Sequence, residues 1–148
     1  MSKTANKVFE FDEIGRMSVP MIADAEIKVA DRAGELARGL GFDNNQVDEV
    51  RLAVIEAVIN AIEHGRSSEG EVHVFFGAAR NPLRLAIVIG DTGAGFDPRS
   101  VSEPDITKKI GHKTRKRGWG LKIMRSLMDE VRIESSATGT RVILVKSG

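Results

Sequence analysis

Two side chains four residues apart, Glu56 and Asn60, are the pair in this sequence best suited to chemistry. On a helix, residues at i and i+4 project from one face, so this carboxylate and this carboxamide would stand together. The carboxylate can polarise an attacking hydroxyl. The amide oxygen is a hard donor of the kind magnesium accepts beside phosphate oxygens and water. A third group, Asp91, ends the apolar run Leu85-Ala86-Ile87-Val88-Ile89-Gly90 and is followed by Gly93 and Gly95. A carboxylate at a strand end, next to backbone bare of side chains, suits recognition of a purine amino group. The fourth element is Gly118-Trp119-Gly120-Leu121. Glycines just ahead of a helix leave its first amide hydrogens available to an anion such as phosphate. Each element also has a plainer reading: a solvated helix face, a tight turn with an N-capping aspartate, a flexible helix start.

The segment before Gly118 is basic. Lys108, Lys109, Lys113, Arg115, Lys116 and Arg117 have no acidic residue among them. Such a loop can close over a polyphosphate and stabilise charge during transfer. A nucleic-acid patch and a solvated surface loop are its rival readings. Aromatic residues make up 5% of the chain and only Trp119 lies near this loop, which argues against stacking of single strands. His64, His73 and His112 have no zinc-ligand spacing. No Gly-Lys-Ser/Thr run of the P-loop type is present, so a phosphate cradle of that kind is excluded.

These groups need elements to position them. The 148 residues suit one domain, 1–148, with a single core, and no Pro- or Ser/Gly-rich linker divides them. Hydrophobic residues at 41% and charged residues at 29% are an ordinary globular balance. The net charge of +1 puts any nucleic-acid role on a local patch rather than on the whole chain. Without cysteine there is neither a disulfide framework nor a thiolate metal site. No apolar run approaches the roughly 20 residues that span a bilayer, and Met1 to Lys7 lacks the apolar segment of a secretory signal. A cytoplasmic protein without membrane or direct nucleic-acid contact is the expectation.

Along the chain, Val8-Phe9-Glu10-Phe11 reads as a short edge strand, and Val19-Pro20 as a break before a helix. Ile22, Ala25, Val29, Ala33, Leu36 and Leu40 recur at helical spacing, and Gly41 is a good C-terminal stop. Asp43 and Gln46 have capping-box spacing, with Phe42 and Val47 at the staple positions. The helix they start should bury Val47, Val50, Val54, Ala57, Val58 and Ala61, end near His64-Gly65, and carry Glu56 and Asn60 opposite that stripe. Runs at 71–78 and 83–90 alternate with a period of two across Arg80-Asn81-Pro82, which predicts a hairpin. The second run is apolar on both faces, as in the middle of a sheet. A long loop then leads to a third helix marked by Leu121, Met124, Leu127 and Met128. A closing hairpin runs across Ala137-Thr138-Gly139. Strand, helix, helix, two strands, loop, helix, two strands is an α+β order, with helices on one face of a mixed sheet.

Taken together, the elements resemble a known family. Glu56-Ala57-Val58-Ile59-Asn60-Ala61-Ile62-Glu63-His64-Gly65 is similar to the asparagine box of the GHKL ATPases, the superfamily of gyrase, MutL-type repair proteins and histidine kinases. Asp91-Thr92-Gly93-Ala94-Gly95-Phe96-Asp97 resembles its first glycine box and Gly118-Trp119-Gly120-Leu121 its second. Within the superfamily, Arg51-Leu52-Ala53-Val54, the run Gly120 to Val131 and the ending Gly139-Thr140-Arg141-Val142 look like the small bacterial anti-sigma-factor serine kinases.

The resemblance implies the Bergerat fold, a two-layer sandwich with a mostly antiparallel sheet, and binding of ATP with Mg2+. It implies that Asp91 reads the adenine amino group, with Thr140 supporting the base through water. Asn60 would hold the metal and Glu56 would be the general base. Gly93, Gly95, Gly118 and Gly120 would give backbone room around the nucleotide, with Leu121 beside them. The segment 99–117 would be an ATP lid in which Lys113 and Arg117 are the best-placed phosphate contacts. The activity implied is a protein serine/threonine kinase and anti-sigma factor that phosphorylates a STAS-type antagonist in a partner switch with a sigma factor, commonly as a homodimer. The alternative is a non-enzymatic module that binds ATP and a protein partner, since a fold does not establish a reaction.

Overall fold

The computed structural model describes residues 11–64, 70–91, 118–136 and 139–148. Its sheet is built around the doubly apolar run. The described strands are β1 (Asp12–Pro20), β2 (Glu71–Ala79), β3 (Arg84–Gly90), β4 (Glu130–Ser136) and β5 (Gly139–Ser147). Their order across the sheet is β1-β2-β3-β5-β4, so β3 is central. Every neighbouring pair is antiparallel. Leu85, Ile87 and Ile89 of β3 face the helices, while Ala86 and Val88 face the other way with Phe75, Ile143 and Val145. Both sets are buried, which is why the alternation from Leu85 to Ile89 carries no polar residues.

The helices α1 (Ala25–Leu40), α2 (Asn44–His64) and α3 (Gly118–Leu127) complete the described elements. They share one core with the inner face of the sheet, built from Val29, Val50, Val54, Val58, Phe76, Ile87, Met124 and Leu144 among others. The fold is the expected α+β sandwich, with helices on one face. α1 buries small residues, Ala30, Ala33, Gly34 and Ala37, and so lies close to α2. The Arg51 side chain of α2 crosses α1 at Gly34, where a Cβ would stand 3.1 Å from Arg51 Cδ. Its guanidinium reaches Asp31 Oδ1 at 2.7 Å.

Local signals placed the helix ends. Gly41, at φ 105°, stops α1 in a Schellman arrangement: its N–H donates to the Arg38 carbonyl and the Phe42 N–H to that of Ala37. Asp43 and Gln46 form the reciprocal capping box, Gln46 N–H to Asp43 Oδ1 at 2.8 Å and Asp43 N–H to Gln46 Oε1 at 3.0 Å. Phe42 and Val47 are both buried, as a staple requires.

Two expectations fail. Ile22 precedes α1 and is 59% exposed rather than part of its buried stripe. The first described strand runs from Asp12 to Pro20, where the sequence predicts none; Phe11 lies just outside it, and the Val8 to Glu10 part of the expected edge strand lies outside the described residues. A register shift between Glu13 and Gly15 explains the miss. It puts Ile14, Met17 and Val19 on the core side at uneven spacing, so the period-two signature is lost. Pro20 ends this strand at the sheet edge, where its missing N–H costs no ladder bond. Phe11 lies against the outer face, with its Cβ 2.9 Å from where a side chain on Gly77 would begin.

Candidate functional site

Asp91 follows the last residue of β3 and is 5% exposed. Its Oδ1 accepts the Thr140 N–H at 2.9 Å, and its own N–H donates to the Thr140 carbonyl at 3.3 Å. Thr140 stands near the start of the neighbouring β5. The first carboxylate oxygen is therefore fixed by backbone, and the group is held in one orientation at the end of the sheet.

The level of Asn60 follows from contacts at the far end of the molecule. Gln46 Nε2 reaches the Ser147 carbonyl at 3.4 Å, so the start of α2 lies beside the end of β5. From Gln46 to Asn60 a helix advances about 21 Å, at about 1.5 Å per residue. From Ser147 back to Thr140 a strand covers about 23 Å, at about 3.3 Å per residue. From this contact α2 runs forward and β5 runs back. Asn60 and Thr140 therefore lie at similar path lengths from the Gln46–Ser147 contact.

The third helix is brought to the same end. Lys146, on the inner face of β5 and 7% exposed, donates from Nζ to Glu49 Oε1 of α2 at 2.7 Å and to the carbonyl of Leu127, the last residue of α3. Seven residues along α2 from Glu49 is Glu56, and seven residues back along α3 from Leu127 is Gly120. These two meet: Glu56 Oε1 lies 3.1 Å from the position a Cβ on Gly120 would take. So α3 runs antiparallel to α2, and its first turn points to the end that holds Asp91 and Asn60. That turn contains no acidic residue. Its amides and helix dipole therefore favour an anion.

Glu56 and Asn60 are half-buried on the flank of α2 next to α3. The start of α3 packs at Glu56, so the face of α2 that carries it is covered by a second helix and not simply solvated. Leu121 is half-buried and packs on the main core, so its side chain supports the helix start. Gly93, Gly95, Lys113, Arg117 and the whole 99–117 segment lie outside the described residues. Of the expected site residues, the structure shows two pairs in direct relation, Asp91 with Thr140 and Glu56 with Gly120. Sequence reasoning missed Lys146 and Glu49. Their signal was a lysine at the inward position of β5 that follows Val142 and Leu144.

The donor set can be tested against the ligand it would hold. Among the described residues no group of three or more His, Asp or Glu side chains converges on a metal-sized site. A divalent cation here would rely on the Asn60 oxygen, phosphate oxygens and water, which is how magnesium is commonly held beside a nucleotide. The residues fit such an ion and fit a purine nucleotide whose amino group meets a buried carboxylate.

Residues 22–146 match the model of the histidine kinase-like ATPase domain. The chain belongs to this family. An ATPase domain of this kind binds ATP, and the GHKL superfamily assignment follows from it. Among curated relatives, the serine-protein kinase RsbW of Bacillus thuringiensis strain Al Hakam is 29% identical over 141 residues, covering 92% of this chain and 85% of that one. The protein of the same name from Bacillus anthracis strain CDC 684 is 28% identical over the same span. A crystal structure of the RsbU and RsbW domains of a Mycobacterium tuberculosis protein superposes with a TM-score of 0.60 at 21% identity over 90% of this chain. The chain spans about a third, 32%, of that longer one, and the likeness supports the fold of this ATPase domain.

Proposed function

We propose that this protein is an ATP-dependent protein serine kinase and anti-sigma factor, which transfers the γ-phosphoryl group of ATP to a serine of a STAS-type antagonist. The observation that carries this reading is the contact between Glu56 and Gly120, which places a carboxylate beside the anion-favouring start of α3. The names of the curated relatives support the same reaction.

In this mechanism Asp91 accepts a hydrogen bond from the adenine amino group, with its other contact already taken by the Thr140 amide. The first amides of α3 receive phosphate oxygens, and Lys113 and Arg117, outside the described residues, are the cations the family resemblance assigns to the polyphosphate. Asn60 offers its amide oxygen to Mg2+, which when bound neutralises phosphate charge. Glu56 accepts the proton of the serine hydroxyl as the serine oxygen forms a bond to the γ-phosphorus. The bond from that phosphorus to the β,γ-bridging oxygen breaks, and ADP leaves with the electron pair. Little covalent work falls to the protein in such a transfer, so positioning and charge dominate.

The partners are then a STAS-domain antagonist and a sigma factor, which the kinase, as a homodimer in the cytoplasm, would exchange according to nucleotide and phosphorylation state. The experiment is transfer from γ-labelled ATP to the STAS protein encoded nearest the gene. Label on one serine, lost in Glu56→Gln while ATP affinity stays within about twofold, is the expected result. Bound ATP without transfer would replace the kinase with a nucleotide-sensing module. Undiminished transfer by Glu56→Gln would remove the base from its role.

A further inference from the structure

We propose that the solvent side of α2 next to Glu56, centred on Leu52, is where the protein substrate docks, and that it receives a large apolar side chain standing close to the substrate's serine. The inference rests on the kinase reading of the site. Among the described residues, the exposed large apolar side chains are Ile22 at 59%, Ile27 at 48% and Leu52 at 52%. All belong to the helical layer and none to the sheet: Ile22 precedes α1, Ile27 is in its first turn and Leu52 is on α2. A single exposed leucine is ordinary on a folded protein. What distinguishes Leu52 is its place four residues before Glu56, so that the two share one face of α2. Three residues beyond Glu56, Ile59 continues that face, half-buried and not among the side chains packed in the main core.

The seam between α2 and α3 is closed at two points. At one, Glu56 meets Gly120. At the other, Lys146 joins Glu49 to the Leu127 carbonyl. Between these points stand Leu52 on α2 and Ile123 on α3. Leu121 and Met124 take the core side of α3, and Ile123 is left half-buried outside that core. A helix apolar on its outward side as well as its inward side is one that a further surface covers. A protein that brings a serine hydroxyl to Glu56 has to cover this side, because the other side of α2 is filled by Val50, Val54 and Val58. Leu52 and Glu56 are about 6 Å apart along the helix, at about 1.5 Å per residue. That matches the step from i to i+4 on a substrate helix, or from i to i+2 on a substrate strand. Asp48, exposed one turn before Leu52, extends the face with a negative charge. A lysine or arginine of the substrate beyond its apolar residue complements it.

The test measures binding of the STAS protein encoded nearest the gene, and phosphoryl transfer to it, for Leu52→Lys, Leu52→Glu, Leu52→Met and Asp48→Lys. Both positions are exposed, so each variant should melt within about 2 °C of wild type. Leu52→Lys and Leu52→Glu should each weaken partner binding by about tenfold or more, as loss of a leucine buried in the complex implies. The same two should raise KM for the partner, with kcat and ATP affinity within about twofold of wild type, because binding alone is lost. Leu52→Met should stay within about threefold of wild-type affinity. Asp48→Lys should slow association by about threefold at low salt and have no effect at high salt. Wild-type affinity in the Leu52 variants overturns the proposal. So does a loss confined to one sign of charge, which shows a purely electrostatic effect. A change in the oligomeric state of the free protein in Leu52→Lys also overturns it, by making this face a contact between copies. Partner binding that depends on Leu52 without any transfer supports the docking surface and overturns the kinase reading. Transfer that ignores every Leu52 substitution does the reverse.

Discussion

Asp91 and Thr140 hold each other twice: the Thr140 N–H donates to the Asp91 carboxylate at 2.9 Å, and the Asp91 N–H donates to the Thr140 carbonyl at 3.3 Å. A buried acid at the end of the central strand is thereby oriented by backbone of the strand beside it. Asparagine can satisfy the same amide with its side-chain oxygen, but its other arm is an NH2 donor. Asp91→Asn should therefore fold normally and present a donor to the adenine amino group, itself a donor. ATP affinity is expected to fall by about a hundredfold, in the range seen when a buried polar group is left unpaired. Calorimetric titration checks this. Affinity within about twofold of wild type would remove Asp91 from base recognition.

Asn60 is expected to matter through the metal rather than through the fold. It is half-buried on the flank of α2, and alanine is a better helix former. Asn60→Ala should keep its melting temperature and need about tenfold more Mg2+ for half-maximal transfer at fixed ATP, as loss of one oxygen ligand implies. An unchanged Mg2+ titration would reassign the residue.

The start of α2 offers a prediction on stability alone. Asp43 accepts the Gln46 N–H, and Asp43→Ala removes that cap. The expected cost is about 0.5–2 kcal/mol, or a fall of about 2–6 °C in melting temperature for a chain of this size. Urea denaturation followed by far-ultraviolet circular dichroism measures it. Activity at temperatures below the transition should be unaffected.

Lys146 joins three elements, and its loss should be felt at the site. Lys146→Met keeps the apolar stem but leaves the Leu127 carbonyl without this donor. Glu49 is 41% exposed and can return to water, so most of the cost falls on that carbonyl, about 1–2 kcal/mol. Glu49→Gln should cost less than about 1 kcal/mol, as is usual for a solvent-accessible partner. Faster hydrogen exchange in α3 of Lys146→Met, with α1 unchanged, is the accompanying outcome. Uniform change across the chain would show a general loss of stability instead of a loosened helix.

How much was legible in the sequence depended on the distance over which each signal acts. The capping box of Asp43 and Gln46 and the glycine stop at Gly41 act within a few residues, and both stand where the sequence put them. The same holds for β3, whose apolar residues on both faces can only be buried between two layers of side chains. The strand Asp12–Pro20 is not legible in the sequence because a bulge at Glu13/Gly15 changes which parity faces the core, and no composition rule reports a bulge. Ile22 was assigned to a helical stripe on spacing alone, but the chain before Ala25 turns too early to bury it.

By itself, then, the sequence determined the three helices, the two hairpins, the central strand and the residue types able to handle a nucleotide. These are written in periodicity, caps and box spacing, all of them short-range. Only the tertiary structure decided that Lys146 pairs with a glutamate 97 positions away, that Asp91 is clasped by Thr140, and that Glu56 rests against Gly120. Contacts of that kind depend on strand order and on how one helix is registered against another. Those are properties of the packed core as a whole, where close packing leaves one arrangement in which all the side chains fit.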